Sequence, residues 1–283
     1  MVRSFMIALI TPTGRRPDQI RNCERWMGNQ TYTSNILWCI VDDCSPSTIK
    51  TLGEGFGSNW NIVKLFPKPE WRSGQITQGR NILCALDTIE KFPEVKSIFI
   101  IEDDDYYSPS YLEEMTKRLV GYKVAGELLT IYYNVVSRTW IRNRNKTHVS
   151  LFQLVFTRDM IDLFKKSLQA KFIDMEFFNL LYKNKYEKDI NLFKGDDYAI
   201  GIKGMVGRRG IGAGHVMNLG GRNDSRLKYL TEKIGNDASY YERYYIHYRG
   251  SRNKRLDKTG IRERTEVPPG RKNDNRRGFE PWK

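Results

Sequence analysis

The sequence predicts an α/β protein with a mostly parallel central sheet, a small antiparallel part and an irregular basic C-terminal segment. Over residues 1–125, short apolar runs alternate with segments of helical periodicity, which is the pattern of βαβ units. Two longer apolar runs follow residue 126. Residues 249–283 hold 12 basic and 5 acidic side chains and few aliphatic ones, so no regular element is expected there.

The first 125 residues supply four strands and three helices. The strands are the apolar runs Ser4–Ile10, Asn35–Val41, Trp60–Phe66 and Lys96–Ile101. The first helix spans Asp18–Met27, after the Gly/Pro turn TPTGRRPD. The second spans Ser73–Phe92, with apolar residues spaced for one buried face. The third begins at Ser108-Pro109, where a cap, a proline and two acids form a helix start signal.

The second half of the sequence has a different pattern of apolar residues. Strands are predicted over Leu128–Val136 and Val149–Phe156, on either side of the basic loop RNRNK. Two helices are predicted over 157–168 and 173–183, and a short one after Asp196-Asp197. Glycine is dense over 201–221, which is typical of loops that approach a ligand or another backbone closely.

Composition excludes several classes. With 40% hydrophobic and 12% aromatic residues, the chain is not disordered, collagen-like or a coiled coil. No apolar run approaches the roughly 20 residues of a membrane span, and the N-terminal one is too short for a signal peptide. Four cysteines without CxxC spacing fit a reducing compartment; they are Cys23, Cys39, Cys44 and Cys84. We therefore expect a cytoplasmic location.

The net charge of +14 is unevenly spread. Residues 101–202 balance 15 basic against 15 acidic side chains, whereas residues 249–283 supply half of the total. A neutral body with a basic end indicates a catalytic domain plus a segment that contacts a polyanion. The alternative is a solvated tail that only aids solubility.

The strongest chemical signal is the run Glu102–Asp105, in the segment IEDDDYYSP. Four consecutive acids directly after a buried strand repel one another strongly without a counter-ion. Carboxylates at such a strand end suit a hard divalent cation, Mg²⁺ or Mn²⁺, which in turn holds a diphosphate. The alternative is a solvated acidic turn, or acids that cap the following helix.

Two further acidic pairs, Asp42-Asp43 and Asp196-Asp197, occur at other predicted element ends. Each pair alone is better explained as a cap or a turn. Acids at the ends of successive parallel strands converge on one edge of an α/β sheet, however, and that edge is where a nucleotide binds.

Together these residues resemble the family 2-like glycosyltransferases of the GT-A fold. The opening segment IALITPTGRRPDQIRNCERWMGNQTYTSNILWCIVDDCSPS is similar to the start of that family, and GRN at 79–81 to its Arg-Asn pair. EDDDYYSPSYLEEM is similar to its DxD region and GDDYAIGIK to its late acidic pair. The order and approximate spacing match over residues 3–205.

The resemblance implies a donor pocket and a metal site. The pocket would be lined by Pro12, Thr13, Arg15, Asp43, Arg80 and Asp103, with Asp43 accepting a hydrogen bond from a pyrimidine base. Asp104 would be the main metal ligand, with Glu102 where the family usually has Asp, and Asp105 assisting. A third ligand in the family is often a histidine; His215 and His247 both qualify, and His215 is favoured because it lies in the glycine-rich stretch.

The same resemblance implies the reaction. Asp197 would be the general base, with Asp196 as its supporting partner, in a single displacement that inverts the sugar carbon. The donor would be a nucleotide-sugar, a UDP-sugar foremost, with Mn²⁺ or Mg²⁺ as cofactor. The implied division is a catalytic domain over 1–248, with a nucleotide-sugar-binding half over 1–125 and an acceptor half over 126–248, followed by a basic extension over 249–283.

The basic C-terminal third offers the one clue to the acceptor. Arginines and lysines precede the tyrosine-rich run ASYYERYYIHYRGSRNKR; they are Arg208, Arg209, Arg222, Arg226 and Lys228. Basic residues interleaved with aromatics suit phosphate contacts and base stacking, although a tyrosine face packed on the core explains the run equally well. This also resembles GT-A-like transferases that glycosylate hydroxymethylated bases in virus DNA.

We therefore expect double-stranded DNA with modified bases as the acceptor, and the host cytoplasm as the location if the protein is viral. One alternative is a cytoplasmic transferase for surface polysaccharide or lipid-linked glycan, its basic tail touching an anionic membrane. A second is a sugar-phosphate nucleotidyltransferase, although the chain lacks the usual Gly-rich signature with a lysine after the first strand. The sequence leaves the oligomeric state open.

Overall fold

The computed structural model describes residues 6–195, 197–208 and 221–245, which form two sheets flanked by helices. The strands are β1 (Met6–Thr13), β2 (Ile36–Asp42), β3 (Trp60–Leu65), β4 (Val95–Ile100), β5 (Tyr106–Tyr107), β6 (Val124–Glu127), β7 (Leu129–Asn134), β8 (Thr139–Arg144), β9 (Leu154–Thr157), β10 (Ile190–Phe193), β11 (Ala199–Lys203) and β12 (Arg222–Asn223). The helices are α1 (Pro17–Gly28), α2 (Gln78–Ile89), α3 (Tyr111–Leu119), α4 (Ile161–Lys165), α5 (Ile173–Lys183) and α6 (Lys228–Ile234).

The central sheet has seven strands in the order β10-β6-β9-β4-β1-β2-β3. The four strands β4, β1, β2 and β3 are parallel, and β9 runs antiparallel to both β4 and β6. The second sheet has five strands in the order β12-β8-β7-β11-β5 and is antiparallel except between β7 and β11. This architecture confirms the predicted α/β class, with its mostly parallel sheet and small antiparallel part.

Strands β1 and β2 of the central sheet are covered on both faces, so they are almost wholly apolar. Alternate residues of β1 enter two different core clusters: Leu9 lies in the cluster that contains α1 and α3, and Ile10 in the one that contains α2 and α5. On β2, Trp38 and Cys39 divide in the same way. Because parallel strands buried on both faces lose the polar alternation of surface strands, they read as continuous apolar runs.

Several predicted elements need correction. The segment after Asp197 is strand β11 and not a short helix, and the loop RNRNK begins inside strand β8. Strand β8 carries polar residues because it pairs with β7 on one side and with only two residues of β12 on the other, so half of it faces water. Helix α2 begins at Gln78, since Ser73 lies in the loop before it.

The tyrosine-rich run packs, in part, on the core. Tyr241 and Tyr244 are buried, and Tyr240 contacts Trp26 edge-on at 6.1 Å between ring centroids. These rings are therefore unavailable to stack on bases. The basic extension 249–283 lies outside the described residues, so its predicted irregular structure stays a prediction, as does the division into domains.

Two features bear on the expected location without deciding it. Each of the four cysteines is a free thiol. Among the described residues, no helix combines the length and apolar character needed to cross a bilayer.

A glycine on α2 fixes how the helix that carries Arg80 meets the rest of the fold. A Cβ at Gly79 would lie 2.0 Å from the backbone oxygen of Leu168, whereas a Cβ at Gly28 on α1 would have no atom closer than 3.7 Å. We expect Gly79→Ala to lower the free energy of unfolding by about 1–3 kcal/mol, because backbone has to move. Gly28→Ala, the matched control, should leave it unchanged or raise it slightly. Urea denaturation of both variants tests this, and equal stabilities would contradict the packing described.

Candidate active site

The candidate site lies where three parallel strands of the central sheet end. Strand β1 sits between β4 and β2, so the turn after Thr13, the pair Asp42-Asp43 and the run Glu102–Asp105 emerge side by side. Because the chain order reverses on either side of β1, this is the topological switch point at which open α/β sheets bind ligands.

Arg16 joins the turn after β1 to the acidic run after β4. Its guanidinium pairs with an Asp103 oxygen at 2.7 Å and with an Asp104 oxygen at 2.5 Å. The Thr13 hydroxyl donates to the other Asp103 oxygen at 2.6 Å. These contacts hold two of the four consecutive acids against the end of β1.

A second cation, Lys203, meets the same acids from the end of β11. Its ammonium lies 3.2 Å from an oxygen of Asp105, which also accepts the backbone N–H of Ile202 at 2.8 Å. The Gln78 side chain donates to Glu102 at 2.6 Å. The acidic run thus joins the central sheet to the second sheet and to the start of α2.

Burial and mutual repulsion make these acids hard to ionise. Burial, with a smaller contribution from the Asp104 charge, raises the pKa of Asp103 to about 7 against the opposing effect of Arg16. Burial likewise raises the pKa of Glu102 and of Asp105 above their ordinary values. On Lys203, the neighbouring acids outweigh burial and raise the pKa. Burial and mutual repulsion therefore oppose full ionisation of the four acids.

The donor set fits a hard divalent cation. Carboxylate oxygens of Glu102, Asp104 and Asp105 lie within 4.8 Å of one another, and oxygen ligands are those that Mg²⁺ and Mn²⁺ prefer. One Asp105 oxygen is committed to β11, while the other is buried and accepts no hydrogen bond from the described residues. That second Asp105 oxygen is thus available to a cation beside Glu102 and Asp104.

Asp43 is the centre of a second cluster, beside the first. One of its carboxylate oxygens accepts from Thr77, from Asn81 at 2.9 Å and from Arg80 at 3.4 Å, and the other accepts from Arg208 at 2.7 Å. Both oxygens are therefore already used. A base could hydrogen-bond to Asp43 as predicted if Arg208 gave up its place.

Trp71 covers this cluster with two arginines. The guanidiniums of Arg208 and Arg15 lie 4.6 and 5.5 Å from the centre of its ring. The turn after β1 comes so close that a Cβ at Gly14 would lie 2.4 Å from an Asp43 oxygen, which only glycine permits. Arg80 and Arg208 thus pair with one buried carboxylate, and Arg15 lies beside Arg208 against Trp71.

Asp42 has a local role. One of its oxygens accepts the Cys44 N–H at 3.0 Å, and the other accepts the Ser47 hydroxyl at 2.8 Å and the Thr48 N–H at 2.9 Å. These bonds shape the loop after β2. The cap interpretation of this acid therefore holds for Asp42 and not for its neighbour Asp43.

Asp197 lies away from both clusters. It precedes β11, whereas Lys203 and its acidic partners stand at the end of that strand, and the strand Ala199–Lys203 spans about 13 Å. One Asp197 oxygen contacts Lys233 and, at 2.6 Å, Arg142, and its backbone N–H donates to Glu127 at 2.9 Å. The structure thus does not bring the predicted base together with the predicted metal ligands.

Most of the predicted donor and metal residues do come together, and four predicted residues lie outside the described part of the chain. The residues around the two clusters are Thr13, Arg15, Asp43, Arg80, Glu102, Asp103, Asp104 and Asp105, with Pro12 buried at the end of β1. The undescribed positions include Asp196, Arg209, His215 and His247. Arg208, predicted to contact nucleic acid, lies instead against Asp43.

Sequence reasoning missed Arg16, Thr77, Asn81 and Lys203. Asn81 belongs to the GRN motif, in which the resemblance implies a role for Arg80 alone, and Arg16 follows a residue already assigned to the donor pocket. Lys203 carries no motif, because its role depends on β11 pairing antiparallel to β5, which contacts far along the chain decide.

Comparison with known proteins gives distant likenesses. No family model and no curated protein matches the chain. Among solved structures it is similar to S. aureus TarS at a TM-score of 0.49 and 13% identity, over 70% of this chain and 37% of TarS. TarS 1–349 in complex with UDP gives 0.48 and 15%, over 70% of this chain and 60% of that one. TarS 1–349 in complex with UDP-GlcNAc gives 0.47 and 18%, over 73% and 59%.

The chain spans less than two thirds of each of these structures. Likenesses this weak assign no function, so the chemistry of the two clusters has to carry any assignment.

The buried pair Lys203–Asp105 gives a stability test. We expect Lys203→Met to lower the free energy of unfolding by about 3–5 kcal/mol at neutral pH, because it leaves buried carboxylates uncompensated. The loss should grow as the pH rises, since unfolded Asp105 ionises freely above about pH 4 while the buried one resists ionisation. Lys203→Met combined with Asp105→Asn should recover much of it.

Lys117→Met is the matched control, because that lysine pairs with Glu113 and Glu114 on the surface and such pairs contribute little. Urea denaturation at several pH values measures all three variants. Equal losses for Lys203→Met and Lys117→Met would contradict the electrostatic role of Lys203.

Proposed function

We propose that the protein is a GT-A-type glycosyltransferase that uses a divalent cation and a nucleotide-sugar, a UDP-sugar foremost. The observation that carries the proposal is the pairing of two oppositely charged clusters at one switch point of the sheet. An acid-rich cluster and an arginine-rich cluster, side by side, suit a ligand made of a metal ion and a diphosphate.

The acid-rich cluster concentrates negative charge at one strand end. Carboxylate oxygens of Glu102, Asp104 and Asp105 lie within 4.8 Å of one another. A divalent cation held by Asp104 and Glu102 would neutralise part of that charge. Bound there, it would supply electrostatic stabilisation of the charge that develops on a leaving diphosphate.

The arginine-rich cluster concentrates positive charge. Arg80 and Arg208 pair with Asp43, and Arg15 lies against Trp71 beside Arg208. Arginine presents a planar fork of donors that suits phosphate oxygens. Asp43 would thereby position Arg80 and Arg208 for an anionic donor. Trp71 would hold Arg15 and Arg208 against its ring.

Arg16 bridges the two clusters, since it belongs to the turn that passes Asp43 and it pairs with Asp103 and Asp104. A donor diphosphate would meet it as well. A base hydrogen bond to Asp43, a metal contact to His215 and support from Asp196 stay predictions.

The catalytic base is a separate part of the proposal. Inverting transfer needs a group that takes the proton of the acceptor hydroxyl, and Asp197 is the residue proposed for it. Its position at the far end of β11 means that an acceptor would have to reach across the second sheet, or that this loop would have to move toward the donor.

The acceptor is also a proposal. A hydroxymethylated base in DNA is favoured by the basic residues of the second half, and a cytoplasmic location would agree with it. Transfer to surface polysaccharide or lipid-linked glycan is the alternative. No feature of the described residues favours the nucleotidyltransferase class.

The metal assignment is tested at Asp104. We expect Asp104→Asn to abolish Mn²⁺-dependent turnover of a UDP-sugar and to weaken Mn²⁺ binding at least tenfold in calorimetry, because a main ligand is lost. Asp159→Asn, which alters an acid on the surface, is the control and should behave as the wild type. The turnover assay screens UDP-, GDP- and CMP-sugars as donors, with and without hydroxymethylated DNA as the acceptor. Unchanged turnover by Asp104→Asn would remove the metal from the proposal.

The base assignment is tested separately. Asp197→Asn should bind UDP and Mn²⁺ like the wild type but lose transfer at least a hundredfold, because the acceptor proton has no carboxylate to receive it. Thermal unfolding of this variant shows whether loss of the ion pairs to Arg142 and Lys233 has destabilised the fold. Transfer retained at the wild-type rate would move the base to another residue.

A further inference from the structure

An aromatic and basic surface lies on the second sheet, away from the donor site; we call it the β8–α6 face, made of Trp140, Arg142, Arg222, Tyr229 and Lys233. The rings of Trp140 on β8 and Tyr229 on α6 are parallel, with centroids 3.6 Å apart. Arg222 lies 5.3 Å from the Trp140 ring, and Lys233 lies 5.9 Å from the Tyr229 ring. The stacked rings thus hold cations on both sides.

The cations of this face are poorly neutralised by acids. Arg142 and Lys233 share one carboxylate, that of Asp197, and Arg222 forms no ion pair within the described part of the chain. Exposed Arg226 and Lys228 continue the positive charge, with Glu232 as a distant partner of Lys228 at 3.9 Å. On α3 and α4, by contrast, Lys117 and Lys165 each meet two carboxylates.

Asp197 lies at the floor of the face and is incompletely satisfied. Its side chain is 8% exposed. One oxygen binds both cations, while the other is buried and accepts no hydrogen bond from any described residue. A buried carboxylate under a positively charged surface is a place where an incoming donor group, such as a hydroxyl, would find an acceptor.

We propose that the β8–α6 face binds a nucleic-acid strand through its phosphates. Unneutralised, pre-positioned cations suit a phosphate backbone, whose charge dominates such binding. A lipid surface fits less well, because no large apolar side chain of this face is among the exposed ones. Since each ring is covered by the other ring and by a cation, bases do not stack here, and binding is independent of sequence.

The statement that the strand carries the acceptor rests on the proposed function. The statement that the strand binds to this face does not. The face would hold the strand over Asp197, the residue proposed as the base. Of the basic residues predicted from the sequence to contact nucleic acid, Arg222 belongs to this face and Arg226 and Lys228 continue it, whereas Arg208 lies at Asp43. Arg142 on β8 is an addition to that set.

The test is fluorescence anisotropy of the full chain with a labelled 20-base-pair DNA duplex over a range of KCl. Arg222→Gln should weaken binding about tenfold at 100 mM salt and reduce the slope of log affinity against log salt by about one, equally for two unrelated sequences. Lys183→Gln, which removes one exposed charge from α5, is the matched control and should change neither. Both variants keep residues 249–283, so their difference isolates the face.

Equal affinities for Arg222→Gln and Lys183→Gln would overturn the inference. So would an Arg222-dependent affinity for phosphatidylserine vesicles without one for DNA, which would assign the face to a membrane. Asp104→Asn should bind DNA like the wild type. If Asp104→Asn loses turnover while Arg222→Gln keeps its DNA affinity, the inference fails and the proposed function stands. If Asp104→Asn keeps turnover while Arg222→Gln loses DNA affinity, the inference stands and the proposed metal-dependent function fails.

Discussion

Four consecutive carboxylates at the end of a buried parallel strand are the constraint on which the rest of this site depends. Glu102, Asp103, Asp104 and Asp105 cannot all be charged and buried without positive partners. The fold supplies Arg16 from the turn after β1 and Lys203 from the end of β11. The turn, the acidic run and the second sheet are therefore tied together electrostatically, and the geometry of the cleft follows from that balance.

The balance also explains why the neighbouring cluster has the opposite character. Arg80 and Arg208 pair with the buried carboxylate of Asp43. Gly14 lets the turn that carries Arg15 and Arg16 lie close to that carboxylate. A site rich in carboxylates next to one rich in arginines is poorly suited to a simple anion or a simple cation. It is well suited to both bound together, which is the chemical form in which a nucleotide-sugar is activated.

The sequence predicted residues 1–125 better than residues 126–245, for a physical reason. Strands β1, β2 and β4 are buried on both faces, so their apolar runs stand out and the acids Asp43 and Asp104 fall at their ends by register with the sheet. Strand β8 is half-exposed and polar, and the helix predicted at β11 is wrong because pairing with β5 and β7 decides that segment. Those long-range pairings decide the contacts of Lys203, Arg142 and Arg208. Local sequence patterns do not contain that information.

The most direct test of the central claim is a crystal structure of the protein with UDP and Mn²⁺, with the ion located by anomalous scattering. The account predicts a manganese peak within coordination distance of Asp104 and Glu102, with the diphosphate against Arg15, Arg80 or Arg208. UDP bound at this cleft without manganese, and with Arg16 still paired to Asp103 and Asp104, would contradict it. So would manganese bound at any other place in the molecule.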